Sequence, residues 1–363
     1  MKIAILLPDL RGGGAERVMV DLAREIDRFG HSVEFVLMQA TGDFLPEARR
    51  DFAVFDLAMT RTRRVPGALA RYLRDRKPGA VVANMWPLTS AAVIGKTLSR
   101  WRGLLLLVEH NTLTQQYSEW GGLHAFLLTA SMASTYRFAD RVAAVSEGSA
   151  TDTARLARLA PGRVTVLHNP IPQRSMPGRE ACAIAEKMWG CPSGQRVLTV
   201  GSLKDQKNHP LLLRAFAAMA RPEARLMLLG QGTNETALGM LASDLGISDR
   251  VIFAGFHPDP APFYATADLF ALSSDYEGLP TVLIEALSFG LPVVSTECPS
   301  GPAEILKGGQ LGRLVPVKDA TALARAMDAA LSSPVDRDAL MRRAGDFAPR
   351  VAARKYLDLL GLP

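Results

Sequence analysis

The order of apolar and polar positions follows one scheme twice along the chain. Short apolar runs bounded by Gly, Pro, Asn or Asp alternate with longer segments in which apolar residues recur three or four positions apart. The runs predict buried strands and the longer segments predict amphipathic helices, and their alternation is typical of parallel α/β sheets. The predicted strands cover residues 3–7, 33–38, 80–84, 104–109, 141–146 and 163–167, and then 197–201, 225–230, 251–255, 269–272, 292–295 and 314–316. The clearest predicted helices cover residues 15–29, 210–220, 235–245, 321–331 and 352–360.

This scheme is interrupted once, near the middle of the chain. Residues 169–172 are Asn-Pro-Ile-Pro, and the stretch that follows is polar and contains further Pro and Gly. Residues of these types end helices and strands and mark loops. We therefore predict a first domain over residues 1–170, a linker over residues 171–195 with room for a short helix, and a second domain over residues 196–346.

The composition fits this organisation. A chain of 363 residues is long enough for two domains that each bury a core. The first apolar run ends at Pro8 and Asp9, and no run reaches the roughly 20 residues of a membrane-spanning helix. We therefore expect neither a signal peptide nor a transmembrane segment. The three cysteines are widely spaced, which favours a reducing, cytoplasmic location.

The net charge of +6 belongs to the first half of the chain. Residues 1–170 hold 22 Lys and Arg against 16 Asp and Glu, whereas residues 171–363 hold 20 of each. The segment 49–77 alone carries nine cations and three acids. It is either a solvated helical face or a contact with an anionic partner. Because no nucleic-acid-binding module is recognisable, we predict an anionic membrane surface as the partner and no nucleic acid, with Tyr72 or Leu73 inserted into the membrane.

The most informative segment is residues 274–287, Ser-Asp-Tyr-Glu-Gly-Leu-Pro-Thr-Val-Leu-Ile-Glu-Ala-Leu. It places Glu277 in a loop after a predicted strand and Glu285 about one turn inside a predicted helix that begins near Pro280. The unpaired N–H groups of a helix N-terminus suit a phosphate. Two acceptors on either side of an anion site match a sugar nucleotide, which has hydroxyl groups at both ends and phosphates between them. By spacing alone, two solvated glutamates are the commoner interpretation.

This segment resembles the signature of retaining glycosyltransferases of family 4. The continuation at residues 289–296, Phe-Gly-Leu-Pro-Val-Val-Ser-Thr, is also similar to that family, and the resemblance extends over nearly the whole chain. It implies an α/β protein of the GT-B fold, in which two Rossmann-like domains with parallel sheets face each other across a cleft. It also implies that the last helix, within residues 347–363, packs back on the first domain.

The resemblance assigns roles to both glutamates and to the turn between them. It implies that Glu277 acts on the donor sugar and that Glu285 holds the ribose. The turn between them, Gly278, Leu279, Pro280 and Thr281, would hold the pyrophosphate through its backbone N–H groups, which Pro280 alone lacks.

Two further motifs concern the phosphates. Three glycines, 12–14, follow the first predicted strand, and the string Gly-Gly-Ala-Glu-Arg-Val resembles the family's first-domain loop, so Gly13 and Gly14 are predicted to contact the donor. A plain turn is the alternative.

The string at residues 200–209, Val-Gly-Ser-Leu-Lys-Asp-Gln-Lys-Asn-His, resembles the family's Gly-Arg-Leu motif followed by Lys. Lys207 matches the lysine that neutralises the departing pyrophosphate. Ser202 stands in place of the arginine, so either Lys207 carries more of that role or another cation substitutes, with Lys204 as the candidate, although a surface lysine is the commoner interpretation of Lys204.

The resemblance also places residues around the nucleobase and the donor sugar. Gly230, Gly255 and Phe256 follow two predicted strands and would line the nucleobase pocket, although strand-end turns explain them as well. His110 follows the strand 104–109 and is predicted to face the donor sugar as a catalytic residue. The loop at residues 112–123 would shape the site of the acceptor.

Other motifs indicate which subgroup of the family the chain resembles and whether a metal site is expected. Residues 298–304, Cys-Pro-Ser-Gly-Pro-Ala-Glu, resemble enzymes that build bacterial surface polysaccharides and lipid-linked oligosaccharides from UDP-sugars. The single Asp-x-Asp, Asp336 to Asp338, lies in a polar turn, and we interpret it as a helix cap. The histidines show no ligand spacing, so no metal site is predicted.

Together these features predict a retaining glycosyltransferase. It would move a hexose or N-acetylhexosamine from a UDP-sugar to a saccharide or polyprenyl-linked acceptor, on the inner face of the plasma membrane, with no cofactor besides the donor substrate. Two alternatives remain: a UDP-sugar 2-epimerase of the same fold, and a non-catalytic sugar-nucleotide-binding protein. The joint presence of Lys207, Glu277 and Glu285 favours activity.

Overall fold

The computed structural model describes residues 1–11, 14–172, 175–193 and 195–363. The chain divides into two compact units. The first consists of residues 1–172 together with residues 347–363, and the second consists of residues 173–346. Each unit has its own parallel sheet, so the predicted α/β class with two parallel sheets is confirmed.

In the first unit, the described residues form a seven-stranded parallel sheet in the order β3-β2-β1-β4-β5-β6-β7. Its strands are β1 (Lys2–Leu7), β2 (Ser32–Leu37), β3 (Ala53–Asp56), β4 (Ala80–Asn84), β5 (Leu104–Glu109), β6 (Arg141–Ala144) and β7 (Val164–Val166). The helices are α1 (Gly14–Arg28), α2 (Leu45–Asp51), α3 (Val65–Arg76), α4 (Leu88–Ser99), α5 (Leu113–Gln116), α6 (Gly121–Thr135), α7 (Glu147–Ala157) and, from the end of the chain, α16 (Pro349–Leu359).

In the second unit, the part of the chain that is described forms a six-stranded parallel sheet in the order β10-β9-β8-β11-β12-β13. Its strands are β8 (Arg196–Val200), β9 (Arg225–Leu229), β10 (Val251–Gly255), β11 (Leu269–Leu272), β12 (Val293–Thr296) and β13 (Arg313–Val315). The helices are α8 (Arg179–Trp189), α9 (His209–Ala217), α10 (Glu235–Asp244), α11 (Ala261–Thr266), α12 (Thr281–Ser288), α13 (Pro302–Ile305), α14 (Ala320–Ser332) and α15 (Arg337–Gly345).

The predicted strands all have a counterpart, within one or two residues at their ends. The strand that the pattern misses is β3, a four-residue edge strand whose apolar run, residues 52–55, is short and whose two terminal residues are solvent-exposed. Asp336 caps α15 by accepting a hydrogen bond from the amide of Ala339 at 2.9 Å, which confirms its interpretation as a helix cap.

The segment predicted as a linker with a short helix, residues 171–195, is described over residues 171–172, 175–193 and 195. It contains α8, which packs against α11 and buries Ala185 and Trp189. The indole of Trp189 donates a hydrogen bond to the Thr266 hydroxyl at 3.1 Å. A buried tryptophan with a satisfied N–H anchors the helix, and α8 therefore belongs to the second unit.

Two apolar layers cover the faces of the first sheet. One layer packs α3, α4 and α6 against it, and the other packs α1 and α16. Helix α16 buries Ala353, Tyr356, Leu357 and Leu360 in the same cluster as α1. The last helix of the chain therefore completes the core of the first unit.

Candidate functional site

The candidate site of the second unit lies where the strand order reverses. Strand β8 has β9 on one side and β11 on the other, so the loops after β8 and β11 diverge to opposite faces. In open parallel sheets, this crevice beyond the carboxyl ends of the strands is where ligands bind. The loop after β8 carries Lys207, and the loop after β11 carries Glu277.

Lys207 and Glu277 meet as an ion pair. The Lys207 Nζ lies 2.6 Å from Glu277 Oε1, and both side chains are largely buried, with 15% and 8% of their surface exposed. The Ser274 hydroxyl donates to the same carboxylate oxygen at 2.7 Å. Gln206 donates to the other oxygen at 3.4 Å. The structure thus brings two of the three predicted catalytic residues into direct contact.

Backbone contacts hold these two loops together. The amide of Asp275 donates to the Gln206 carbonyl, and the Gln206 side chain donates to the Tyr276 carbonyl, both at 2.9 Å. Asn208 caps α9 and also donates to the Asp275 carboxylate at 2.9 Å. These contacts hold the loop after β8 and the loop after β11 against each other. The two loops therefore preorganise the Lys207–Glu277 pair.

Helix α12 begins just beyond this pair, as the sequence predicts. No side chain caps its N-terminus among the described residues, and Leu279 and Pro280 are buried at its start. The Gly278 carbonyl accepts a hydrogen bond from the Ser300 hydroxyl, and Ser300 and Glu277 are also joined through their backbones. Thr281 and Glu285 are half-buried. Glu285 lies one turn into α12, which is the predicted position.

The predicted nucleobase residues lie at the neighbouring strand ends. The amide of Gly230 donates to the Gly255 carbonyl at 2.8 Å, and Phe256 follows with 65% of its surface exposed. A Cβ at Gly230 would lie 2.0 Å from the Gly201 carbonyl oxygen, so only glycine fits there. Ser202 is exposed in the loop after β8. Gly230, Gly255 and the loop that carries Ser202 and Lys207 therefore form one continuous edge.

In the first unit, His110 follows β5 and is held by Asn84 at the end of β4. The Asn84 amide group donates to the carbonyls of Leu6 and Val82, both at 3.1 Å, so its oxygen faces His110 Nε2 at 2.9 Å. That oxygen accepts only, so Nε2 carries the proton and Nδ1 has a free lone pair. Nδ1 is buried and has no hydrogen-bond partner among the described residues. Burial lowers the pKa of His110 to about 4, which keeps the ring neutral at pH 7.

A buried carboxyl group supports the loop beside His110. Glu109 accepts hydrogen bonds from the Trp86 amide at 3.1 Å, from the Thr89 hydroxyl at 3.0 Å and from the Tyr136 hydroxyl. Burial raises the pKa of Glu109 to about 7, although the three hydrogen bonds lower it. Glu109 was not predicted as important, because a glutamate at the end of an apolar strand gives no signal of its partners.

An aromatic ladder continues from this loop into the predicted acceptor segment 112–123. The rings of Trp86 and Tyr117 lie 5.2 Å apart, and those of Tyr117 and Trp120 lie 4.5 Å apart, both edge to face. Trp120 keeps 52% of its surface exposed. Rings in this arrangement present a rigid, amphipathic surface on which the apolar face of a sugar can stack.

The glycine loop after β1 is described only in part. Gly14 begins α1, whereas Gly13 lies outside the described residues. Ahead of them, Arg11 donates to the buried Asp9 through its backbone and its guanidinium group, with Nε 2.9 Å from the carboxylate. Arg11 is a cation that the sequence analysis missed, since a single arginine in a loop carries no pattern.

The basic segment 49–77 is exposed as predicted, but two of its residues are not where the prediction placed them. All nine cations are exposed. Tyr72 and Leu73 are each only 1% exposed, and the Tyr72 hydroxyl donates to Glu34 at 2.6 Å. The prediction that they insert into a membrane is wrong, because they form the buried face of α3 with Val65 and Leu69.

Two family models match the chain. The model described as Glycosyltransferase Family 4 matches residues 12–174, and the model described as Glycosyl transferases group 1 matches residues 192–347. Fold and matches together define the class of protein, a two-domain glycosyltransferase with the GT-B fold. The first half of the chain matches the family described as Glycosyltransferase Family 4, and the second half matches the family described as Glycosyl transferases group 1.

Relatives and solved structures agree with this assignment. The chain is 36% identical over 169 residues to the lipopolysaccharide core biosynthesis glycosyltransferase LpsE of Rhizobium meliloti, covering 45% of this chain and 49% of that protein. It is 29% identical over 211 residues to N-acetylgalactosamine-N,N'-diacetylbacillosaminyl-diphospho-undecaprenol 4-alpha-N-acetylgalactosaminyltransferase of Campylobacter jejuni, covering 58% and 55%. The chain thus spans about half the length of these relatives.

The fold is shared over the full length with a solved structure, Anabaena Alr3699/HepE in complex with UDP and glucose. The TM-score is 0.84 at 20% identity, and the match covers 99% of both chains.

Among the described residues, no helix has the length and the apolar composition of a membrane-spanning segment. These residues also contain no group of three or more His, Cys, Asp or Glu that could hold a metal ion.

Proposed function

We propose that this protein transfers a hexose or N-acetylhexosamine from a UDP-sugar to a saccharide acceptor, with retention of the anomeric configuration. The observation that carries the proposal is the buried Lys207–Glu277 pair at the switch point of the second sheet, next to the uncapped start of α12. A cation, a carboxylate and a helix N-terminus are together the groups that a sugar diphosphate requires.

The donor would extend along the edge of the second sheet. Its pyrophosphate would accept hydrogen bonds from the N–H groups of Gly278, Leu279 and Thr281 and from the ammonium group of Lys207, since Pro280 has no N–H. Glu285, one turn into α12, would accept the ribose hydroxyls. Gly230, Gly255 and Phe256 lie at the strand ends beyond Ser202, where a uracil would rest.

Glu277 would act on the sugar itself. Its carboxylate accepts hydrogen bonds from Lys207 and Ser274. A pyrophosphate that attracts Lys207 would leave a carboxylate oxygen of Glu277 able to accept hydrogen bonds from hydroxyl groups of the donor sugar. As the bond between the anomeric carbon and the phosphate oxygen breaks, charge develops on that oxygen, and Lys207 stabilises it. The acceptor attacks the same face, and the leaving phosphate takes the acceptor's proton.

The first unit would receive the sugars. His110 is neutral, and its buried Nδ1 has a lone pair to accept a sugar hydroxyl, while Asn84 fixes the ring through Nε2. Trp86, Tyr117 and Trp120 would stack on the acceptor saccharide. Gly14, at the start of α1, would approach the donor phosphates.

We propose that the acceptor is polyprenyl-linked and that the reaction takes place at the inner face of the plasma membrane. The Campylobacter relative named above carries undecaprenol in its name, and the Rhizobium relative acts in lipopolysaccharide core biosynthesis. The exposed cations of residues 49–77 supply attraction to an anionic leaflet, worth about 1 kcal/mol for each one held near the surface. That attraction weakens as salt shortens the Debye length.

The proposal is tested by incubating the protein with a panel of UDP-sugars and lipid-linked or soluble saccharide acceptors in EDTA. We expect transfer from a UDP-hexose or UDP-N-acetylhexosamine, and a product whose NMR coupling constant shows the anomeric configuration of the donor. We expect EDTA to have no effect, since Lys207 and α12 supply the positive charge that a metal would otherwise provide.

Four results would contradict the proposal in different ways. An inverted product rejects retention, and a loss of turnover in EDTA rejects metal independence. Formation of a 2-epimer from UDP-N-acetylglucosamine without acceptor would identify an epimerase. Nucleotide binding without any reaction would identify a sugar-nucleotide-binding protein.

Replacing Glu285 by Gln should weaken the binding of UDP by about tenfold to 100-fold, because each hydrogen bond to a charged acceptor contributes about 1.5–3 kcal/mol and the amide keeps only part of it. Titration calorimetry with UDP measures the change. Glu235→Gln, at the start of α10, is the control, since it removes an exposed carboxylate from another helix of the same unit. Equal affinity of the Glu285 variant and the wild type would reject the ribose assignment.

A further inference from the structure

A cavity of about 550 Å³ opens between the last turns of α3 and α4. It lies at the amino edge of the first sheet, since its residues come just before β4 and just before β5. Four cations and no acid line it in the described part of the unit. The complete lining is Leu73, Arg74, Lys77, Ser99, Arg100, Trp101, Arg102 and Gly103.

The positive charge of this cavity is not neutralised. Arg74, Lys77, Arg100 and Arg102 are exposed, and within the described residues none has a carboxylate oxygen within ion-pair distance. The C-termini of α3 and α4 contribute roughly half a negative charge each, which offsets only about one of the four cations. The cavity therefore keeps a net charge of roughly +3, which an oxyanion of matching size would balance.

Two of the cations stand where a glycine is normally found. Lys77 ends α3 with φ +45°, and Arg100 ends α4 with φ +54°. The left-handed conformation at a helix end favours glycine, and a long cation there carries strain. The wall behind them is fixed, because the Trp101 indole donates to the Pro78 carbonyl at 2.8 Å.

This cavity is separate from the proposed donor site. Asn84 and His110 lie at the carboxyl ends of β4 and β5, whereas the cavity lies before their amino ends. These strands have five and six residues. At about 3.3 Å per residue the two places are roughly 17–20 Å apart, so the donor phosphates cannot occupy both.

Apolar side chains adjoin the cavity on one side. Leu98 and Ile94 lie one turn apart on α4 and keep 56% and 44% of their surface exposed. The Leu98 carbonyl accepts a hydrogen bond from Arg74 at 3.5 Å, so the apolar and the charged surfaces are contiguous. A headgroup phosphate on the cations would place the rest of a lipid beside Ile94 and Leu98.

We propose that this cavity binds a phosphate group, carried by an anionic phospholipid or by a soluble phosphate ester. The choice of a phospholipid rests on the membrane contact of the proposed function, which the cavity would make specific. The four cations provide charge-assisted hydrogen bonds to the phosphate oxygens, and the three arginines can do so with two N–H groups each.

The test uses the full chain and two triple variants that remove equal charge. The cavity variant is Arg74→Gln, Arg100→Gln and Arg102→Gln, and the control is Arg214→Gln, Arg325→Gln and Arg342→Gln. The control residues are exposed arginines of the second unit, so they belong neither to the cavity nor to the basic segment 49–77. Flotation with phosphatidylcholine vesicles, with and without phosphatidylglycerol, measures the lipid arm. Calorimetry with pyrophosphate, with saturating UDP present to fill the donor site, measures the soluble arm.

For a phospholipid ligand, the cavity variant should lose about 100-fold in partition to vesicles that contain phosphatidylglycerol, because each cation contributes about fivefold. The control should lose much less, and neutral vesicles should bind none of the proteins. Binding of pyrophosphate that only the cavity variant loses, without vesicle binding, would identify a soluble ligand. Equal losses in both variants, or no binding in either arm, would overturn the proposal. Sugar transfer to a soluble acceptor, measured on the same proteins, reports the donor site independently of the cavity.

Discussion

Replacing Lys207 by Met should lower the rate of sugar transfer by about 10²–10³-fold, the usual effect of removing one donor to a developing oxyanion. The Lys207 side chain passes close to the backbone of Gly201. Methionine is similar in length and can follow the same path, so the substitution chiefly removes the charge. The rate should fall at saturating donor, because Lys207 contributes most when the phosphate oxygen gains its charge.

This single variant should also be less stable, since Glu277 would be left buried without its cation. Removing one partner of a buried ion pair costs about 3–5 kcal/mol. Ser274 and Gln206 still donate to the carboxylate, which places the loss at the lower end. A fall in rate alone would therefore not separate chemistry from folding.

The double variant Lys207→Met with Glu277→Gln makes that separation. It removes both charges, so the melting temperature should recover most of what the single variant loses. Turnover should remain low, because neither the cation nor the carboxylate is present. A double variant that regained wild-type turnover would exclude both residues from the mechanism.

The second large effect is expected from Gly230→Ala. Its added Cβ would lie 2.0 Å from the oxygen and 2.8 Å from the carbonyl carbon of Gly201, and φ is +147°. Both obstacles are backbone atoms at adjacent strand ends, so one loop must move. We expect a loss of roughly 3 kcal/mol or more in the stability of the second unit, with weaker UDP binding.

Gly239→Ala is the matched control for this substitution. It lies inside α10, and a Cβ there meets nothing within 4 Å. Helix propensity predicts that it raises stability by about 1 kcal/mol. Thermal unfolding compares the two variants. If Gly230→Ala melted together with wild type, the close approach of the two loops would not exist in solution.

The strands and the order of elements follow from periodicity, whereas the pairing of side chains does not. Lys207 and Glu277 are both recognisable from their motifs, yet their contact spans 70 residues and depends on β8 and β11 being neighbours. His110 was predicted without Asn84. That partner emerges only when β4 and β5 pair in register.

The position of Tyr72 shows a signal that was present but not used. Residues 65, 69, 72 and 73 are apolar at the spacing of one helix face, which predicts burial of all four. The arginines around them lie on the exposed side of the helix, and the prediction of a membrane contact was based on that side alone. By contrast, no pattern could join Arg74 to Arg100 and Arg102, because the cavity arises from two helix ends that meet only in three dimensions.

The return of α16 to the first unit has a consequence for synthesis on the ribosome. The first unit lacks its last helix until the intervening residues 173–346 have been made. At about 5–20 residues per second this takes roughly 10–35 s. Throughout that interval the surface of α1 that receives Tyr356 and Leu357 has no cover. The second unit is therefore the first to be complete, and the nascent first unit waits with an open apolar face, where a chaperone would have its longest opportunity to bind.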